Sequence, residues 1–81
     1  MLKAITLREI EQIFAITDAL GISREALVIP LRPESPGRVR RMAGGKIEIV
    51  VDGAADFNEW LKELETQLRR MMGMAPATAA S

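Results

Sequence analysis

Glu59 and Glu63 stand one helical turn apart, and Asp52 and Asp56 lie just ahead of them. A carboxylate pair at that spacing suits general acid–base chemistry or a hard cation. Either use needs shelter from water. The apolar residues of the same stretch, Phe57, Trp60, Leu61 and Leu64, mark the opposite face of the helix, so the pair is expected to be solvated. The chain has no histidine, cysteine or tyrosine. That removes most nucleophile–base pairs and the usual ligands of zinc, copper or iron. Gly44-Gly45 fits neither G-x-G-x-x-G nor a phosphate-binding loop, because it sits in a hairpin rather than ahead of a helix. The expectation is a chain that is not an enzyme and has no catalytic residue, metal or cofactor.

Basic residues offer binding rather than catalysis. Residues 32–46 hold five (Arg32, Arg38, Arg40, Arg41 and Lys46) against Glu34 alone. Residues 47–67 hold six acids (Glu48, Asp52, Asp56, Glu59, Glu63 and Glu65) against Lys62 alone. With eleven charges of each sign the whole chain is neutral, and no global field draws it to nucleic acid or anionic lipid. Two solvated faces are the plain reading of this asymmetry. The sharper readings are charge-complementary self-association, or an anion or nucleic acid held by Arg38, Arg40, Arg41 and Lys46.

A second feature points to nucleic acid. "ALGISREAL", residues 19–27, resembles the turn and second-helix entry of helix-turn-helix DNA-binding proteins. Gly21 would make the turn, Ile22 would pack inward and Ser23 would cap the next helix. A basic hairpin over 38–46 follows like a wing. Against this, Pro30 arrives within about two helical turns, and one helix precedes the turn where the three-helix core has two. Nucleic-acid binding through residues 19–29 and 38–46 is therefore the alternative function.

The elements that must position these groups are legible in outline. Thr6 with Glu9 three residues later is a capping box. Leu7, Ile10, Ile13, Phe14, Ile16 and Leu20 follow at helical spacing, and Gly21 supplies the left-handed stop. Ser23 caps one short turn, and Leu27-Val28-Ile29 favour an extended edge segment ended by Pro30. "PLRPESPG", residues 30–37, is a stiff, proline-punctuated loop. Arg38–Met42 and Lys46–Asp52 form a hairpin about Ala43-Gly44-Gly45. Ile47, Ile49 and Val51 share one face with Val39. Glu48, Val50 and Asp52 share the other, Arg38 and Arg40 point out, and Arg40 or Arg41 sits across from Glu48. Asp56 caps a second helix that runs to Gly73, with Glu65 and Arg69 paired at i,i+4.

This order, α-β-β-α, predicts an α+β domain with a small antiparallel sheet of two or three strands packed against two helices. Residues 1–73 are expected as a single domain and 74–81 as a frayed tail. The chain's 81 residues bury only roughly 60% of the unfolded surface, and no disulfide is there to compensate. Self-pairing would supply the missing burial. The expected contact set is Trp60, Leu61, Leu64, Leu68, Met71 and Met72, with contributions from Ile13 and Ile16. Apolar runs are too short for a membrane span, and the charged N-terminal stretch does not suit a signal peptide, which makes the cytoplasm the default.

From Ala19 to Leu68 the layout also resembles the ImmA/IrrE-type zinc peptidases. "KIEIVVD" stands where that family has a strand, and "WLKELET" where it has a helix carrying H-E-x-x-H. Glu63 and Leu64 match the motif's glutamate and the leucine that often follows it. Lys62 and Thr66 occupy the two histidine positions. The resemblance implies a metal-free relative, because without those ligands zinc is not held and Glu63 has no metal-bound water to activate. The combined expectation is a non-catalytic cytoplasmic domain acting as a homodimeric protein–protein interaction or scaffold module.

Overall fold

The computed structural model describes residues 4–74. Apart from Met74, the tail expected over 74–81 lies outside the described residues. Helix α1 spans Leu7–Ala19. Its capping box is complete: the Glu9 amide donates to the Thr6 hydroxyl at 3.2 Å, and the Thr6 amide donates to the Glu9 carboxylate at 2.9 Å. Gly21, at φ 76°, takes the left-handed turn beyond the helix. A three-residue 3-10 turn, Arg24–Ala26, leads into strand β1, Leu27–Val28. Strand β2 is Arg38–Arg41, strand β3 is Ile47–Val50 and helix α2 is Phe57–Met71. The β2–β3 hairpin turns through Ala43–Gly45, where Gly44 and Gly45 both have positive φ.

The class is α+β as expected, but the sheet is mixed rather than antiparallel. Its order is β1-β3-β2. β2 lies antiparallel to β3, with Val39 opposite Ile49 and Arg40 opposite Glu48. β1 pairs with the other side of β3 in parallel, Leu27 with Ile47 and Val28 with Glu48. The reason lies in composition. All four residues of β3 are buried, which suits a central strand covered on both faces. β1 takes the remaining side of β3, which puts β3 at the centre of the sheet.

The connection 29–37 carries the chain from one side of β3 to the other. It first pairs in parallel beyond β1: the Glu34 amide donates to the Val51 carbonyl at 3.0 Å, and the Gly53 amide donates to the Glu34 carbonyl at 2.9 Å. It then crosses at Gly37, where a Cβ would lie 2.5 Å from the Asp52 nitrogen and 2.6 Å from the Val50 oxygen. Only a glycine lets two backbones pass that closely.

Both helices cover one face of the sheet. Ile47, Ile49 and Val51 meet Ile13, Leu20 and Ile22 from the α1 region and Trp60, Leu64 and Leu68 from α2. Thr17 is fully buried among them, and its hydroxyl donates to the Phe14 carbonyl at 3.2 Å; among the described residues no buried side-chain polar atom lacks a partner. The other sheet face carries Val28, Glu48 and Val50 with Arg38 and Arg40 beside them, as the register and the alternation of strand side chains require.

Candidate interaction surface

Strand β2 carries three of the four expected basic residues, Arg38 and Arg40 on one face and Arg41 on the other. Arg38 and Arg40 flank Glu48 on the sheet face away from the helices. Arg40 donates from Nε to the Glu48 carboxylate at 2.6 Å, and Arg38 Nε lies 3.6 Å from the same oxygen. Arg38 also donates to Glu34 at 2.9 Å. The Arg40 hydrogen bond holds the Glu48 carboxyl below its ordinary pKa, against the opposing effect of burial. The hydrogen bond to Glu34 in turn raises the pKa of Arg38. Arg41 faces the helix side and donates to the Met71 carbonyl at 2.6 Å, meeting an orphan acceptor at the C-terminus of α2. Lys46 is exposed at the hairpin end. Charge pairing is thus local: β2 finds Glu34 and Glu48, while Glu59 pairs with Lys62 and Glu65 with Arg69 inside α2.

The apolar set expected for self-association is divided by the fold. Trp60, Leu64 and Leu68 are buried in the chain's own core, with Leu68 at 0% exposure. Little of their surface is left to offer another molecule, with Trp60 at 7% exposure. Leu61 and Met71 are half-buried, and Met72 is exposed. Ile13 is fully buried and Ile16 half-buried. The surface share of the set is therefore Leu61, Met71 and Met72.

The helix-turn-helix-like segment has no second helix. Residues Arg24–Ala26 make one 3-10 turn, and Leu27–Val28 enter the sheet. Its one basic residue is committed elsewhere: Arg24 donates to Asp18 at 2.7 Å and lies 4.5 Å from the centre of the Phe14 ring.

Glu59 and Glu63 are exposed on the outer face of α2. Glu63 lines an open depression of about 390 Å³ with Lys62, Thr66, Gln67 and Arg70. The three residues that align with the peptidase motif, Lys62, Glu63 and Thr66, thus stand on the face turned away from the sheet. Among the described residues no three acidic side chains gather as a metal site. A second depression, of about 500 Å³, lies between Ile5, Thr6, Glu9, Pro33, Asp52 and Phe57.

Two features were not visible in the sequence. One is the hold of Arg38 on Glu48 in addition to that of Arg40; the alternation Arg-x-Arg opposite a lone glutamate in an apolar strand is the signal that would have shown it. The other is the crossing at Gly37, which leaves no local mark. No protein-family model, curated protein or solved structure matches the chain. No helix among the described residues is long and apolar enough to cross a membrane.

Proposed function

We propose that the chain is a small non-catalytic protein-interaction module that docks through strand β2. The observation that carries this reading is the position of β2 at the outer edge of the sheet, with Arg38, Arg40 and Arg41 exposed along it. An edge strand presents unpaired backbone groups, which are the means by which an extended segment adds to a sheet. Nothing comparable supports catalysis: Glu59 and Glu63 of α2 are exposed to solvent.

The test is selection of binders from a random peptide library, followed by mapping their footprint through amide shifts of the labelled chain. Footprints on residues 38–41 are expected. Footprints confined to the Met71–Met74 end or to the solvated face of α2 would overturn the reading. The homodimer remains a second reading, supported by Met72 at 42% and Met74 at 38% exposure at one end of the molecule. Light scattering decides it, since a mass of one chain at low and high salt removes it.

A further inference from the structure

The hydrogen-bond pattern of the hairpin fixes which backbone groups β2 leaves open. The Met42 amide donates to the Lys46 carbonyl at 2.7 Å, so Met42 and Lys46 are a hydrogen-bonded pair. In an antiparallel ladder such pairs alternate with non-bonded ones. Arg40–Glu48 and Arg38–Val50 are then bonded pairs, whereas Val39–Ile49 and Arg41–Ile47 are not. The N–H and C=O of Val39 and Arg41 therefore point away from β3. Among the described residues no strand lies beyond β2.

The side chains decide what can add there. A second copy of β2 would have to bond through Val39 and Arg41, the residues with open groups. Antiparallel self-pairing sets Arg38 against Arg40 when centred on Val39, Arg40 against Arg40 when centred on Arg40, and Arg41 against Arg41 when centred on Arg41. Like charges directly opposite one another destabilise a sheet, so the edge turns away its own copy. The same charge favours a strand of opposite sign. Arg40 gives only its Nε–H to Glu48, and the terminal nitrogens of its half-exposed guanidinium remain available. Arg38 and Arg40 are matched by the two carboxylates Glu34 and Glu48, whereas Arg41, on the helix side, meets the neutral Met71 carbonyl and leaves the strand with a net positive charge.

Building on the docking reading, we propose that the partner is an extended acidic protein segment. It adds as a fourth strand on β2, with carboxylates at every second position facing Arg38 and Arg40. Nucleic acid fits this edge less well. Val39 and Arg41 offer donors and acceptors in equal number, and a peptide strand meets both. A phosphodiester chain has acceptors along its backbone and would leave the carbonyls unmet.

The probe is a labelled octapeptide alternating glutamate and threonine, titrated into the intact chain by fluorescence anisotropy and amide NMR. We expect the largest shifts at Val39 and Arg41, with hydrogen exchange at those two amides slowed at least tenfold. The glutamine-for-glutamate peptide should bind at least tenfold more weakly. Arg41→Pro should weaken binding as much, because it removes an outward N–H that the β2–β3 ladder does not use. Thermal unfolding of the variant checks its fold, and the exchange readout on the unaltered chain stands even if the variant does not fold. Equal binding of the glutamine peptide, or unslowed exchange at Val39 and Arg41, overturns the proposal. So does DNA that outcompetes the peptide with a steep salt dependence. If library selection yields neutral peptides that still map to 38–41, the acidic partner is lost and the docking strand stands. Footprints elsewhere remove both.

Discussion

Glu48 holds an unusual place for a carboxylate. Its neighbours in β3 are apolar, it lies at the middle of the sheet, and two arginines share it. Its pKa is lowered in the folded chain, so the folded state favours the ionised form. The associated stability is fully present above the ordinary glutamate range. It is lost as pH falls through that range and then through the lower folded value. Glu48→Gln should flatten this acid limb. The drop in urea midpoint between pH 7 and pH 3 is expected to be smaller in the variant than in the parent. A drop of the same size would assign the acid sensitivity to other carboxylates. Core residues behave differently, since their contribution does not titrate. Leu68 is fully buried, and Leu68→Ala should cost about 2–5 kcal/mol by chemical denaturation, at either pH.

At the scale of elements, the local signals were the legible ones. Thr6 and Asp56 cap the two helices as their spacing announced, because capping depends on residues within one turn of each other. Thr6→Ala should accordingly cost about 1 kcal/mol, measurable as a lower thermal midpoint. The hairpin was legible for the same reason, but its turn residues alone allow Arg40 or Arg41 opposite Glu48, and the structure sets Arg40 there. What was not legible is how distant segments meet. The parallel pairing of Leu27–Val28 with β3 depends on which strand is most apolar and on a connection long enough to turn the chain. The division of the α2 stripe followed from that closure: it buried Trp60, Leu64 and Leu68 and left Met72 outside, whereas spacing alone treats all of them alike. Gly37 belongs with the hidden features. Gly37→Ala would press a methyl group onto the backbone of Val50 and Asp52. It should destabilise by about 1–3 kcal/mol, although Gly37 is not among the positive-φ glycines. At Gly45 an added Cβ meets no neighbour within 4 Å, and Gly45→Ala costs stability through its positive φ of 81° instead.

The molecule as a whole is a sheet closed by two helices that come from opposite ends of the chain. Removing either should dissolve the core, since Ile13 and Leu20 of the α1 region and Leu64 and Leu68 of α2 meet in one cluster. A chain ending at Asp56 is therefore expected to show no cooperative thermal transition by circular dichroism; a sharp transition would mean that the sheet stands without α2. The position of β3 has a further consequence, in time rather than space. Among the described residues, the strand in the middle of the sheet is the last strand to be made. While a ribosome extends the chain, Leu27 and Val28 emerge with no partner, because Ile47 and Glu48 do not yet exist. When the hairpin appears, its apolar face still waits for α2. At roughly 5–20 residues per second, that interval lasts on the order of seconds. Throughout it the open strand edges and apolar face are accessible to anything nearby, and the arginines of β2 are in place before the strand they pair with.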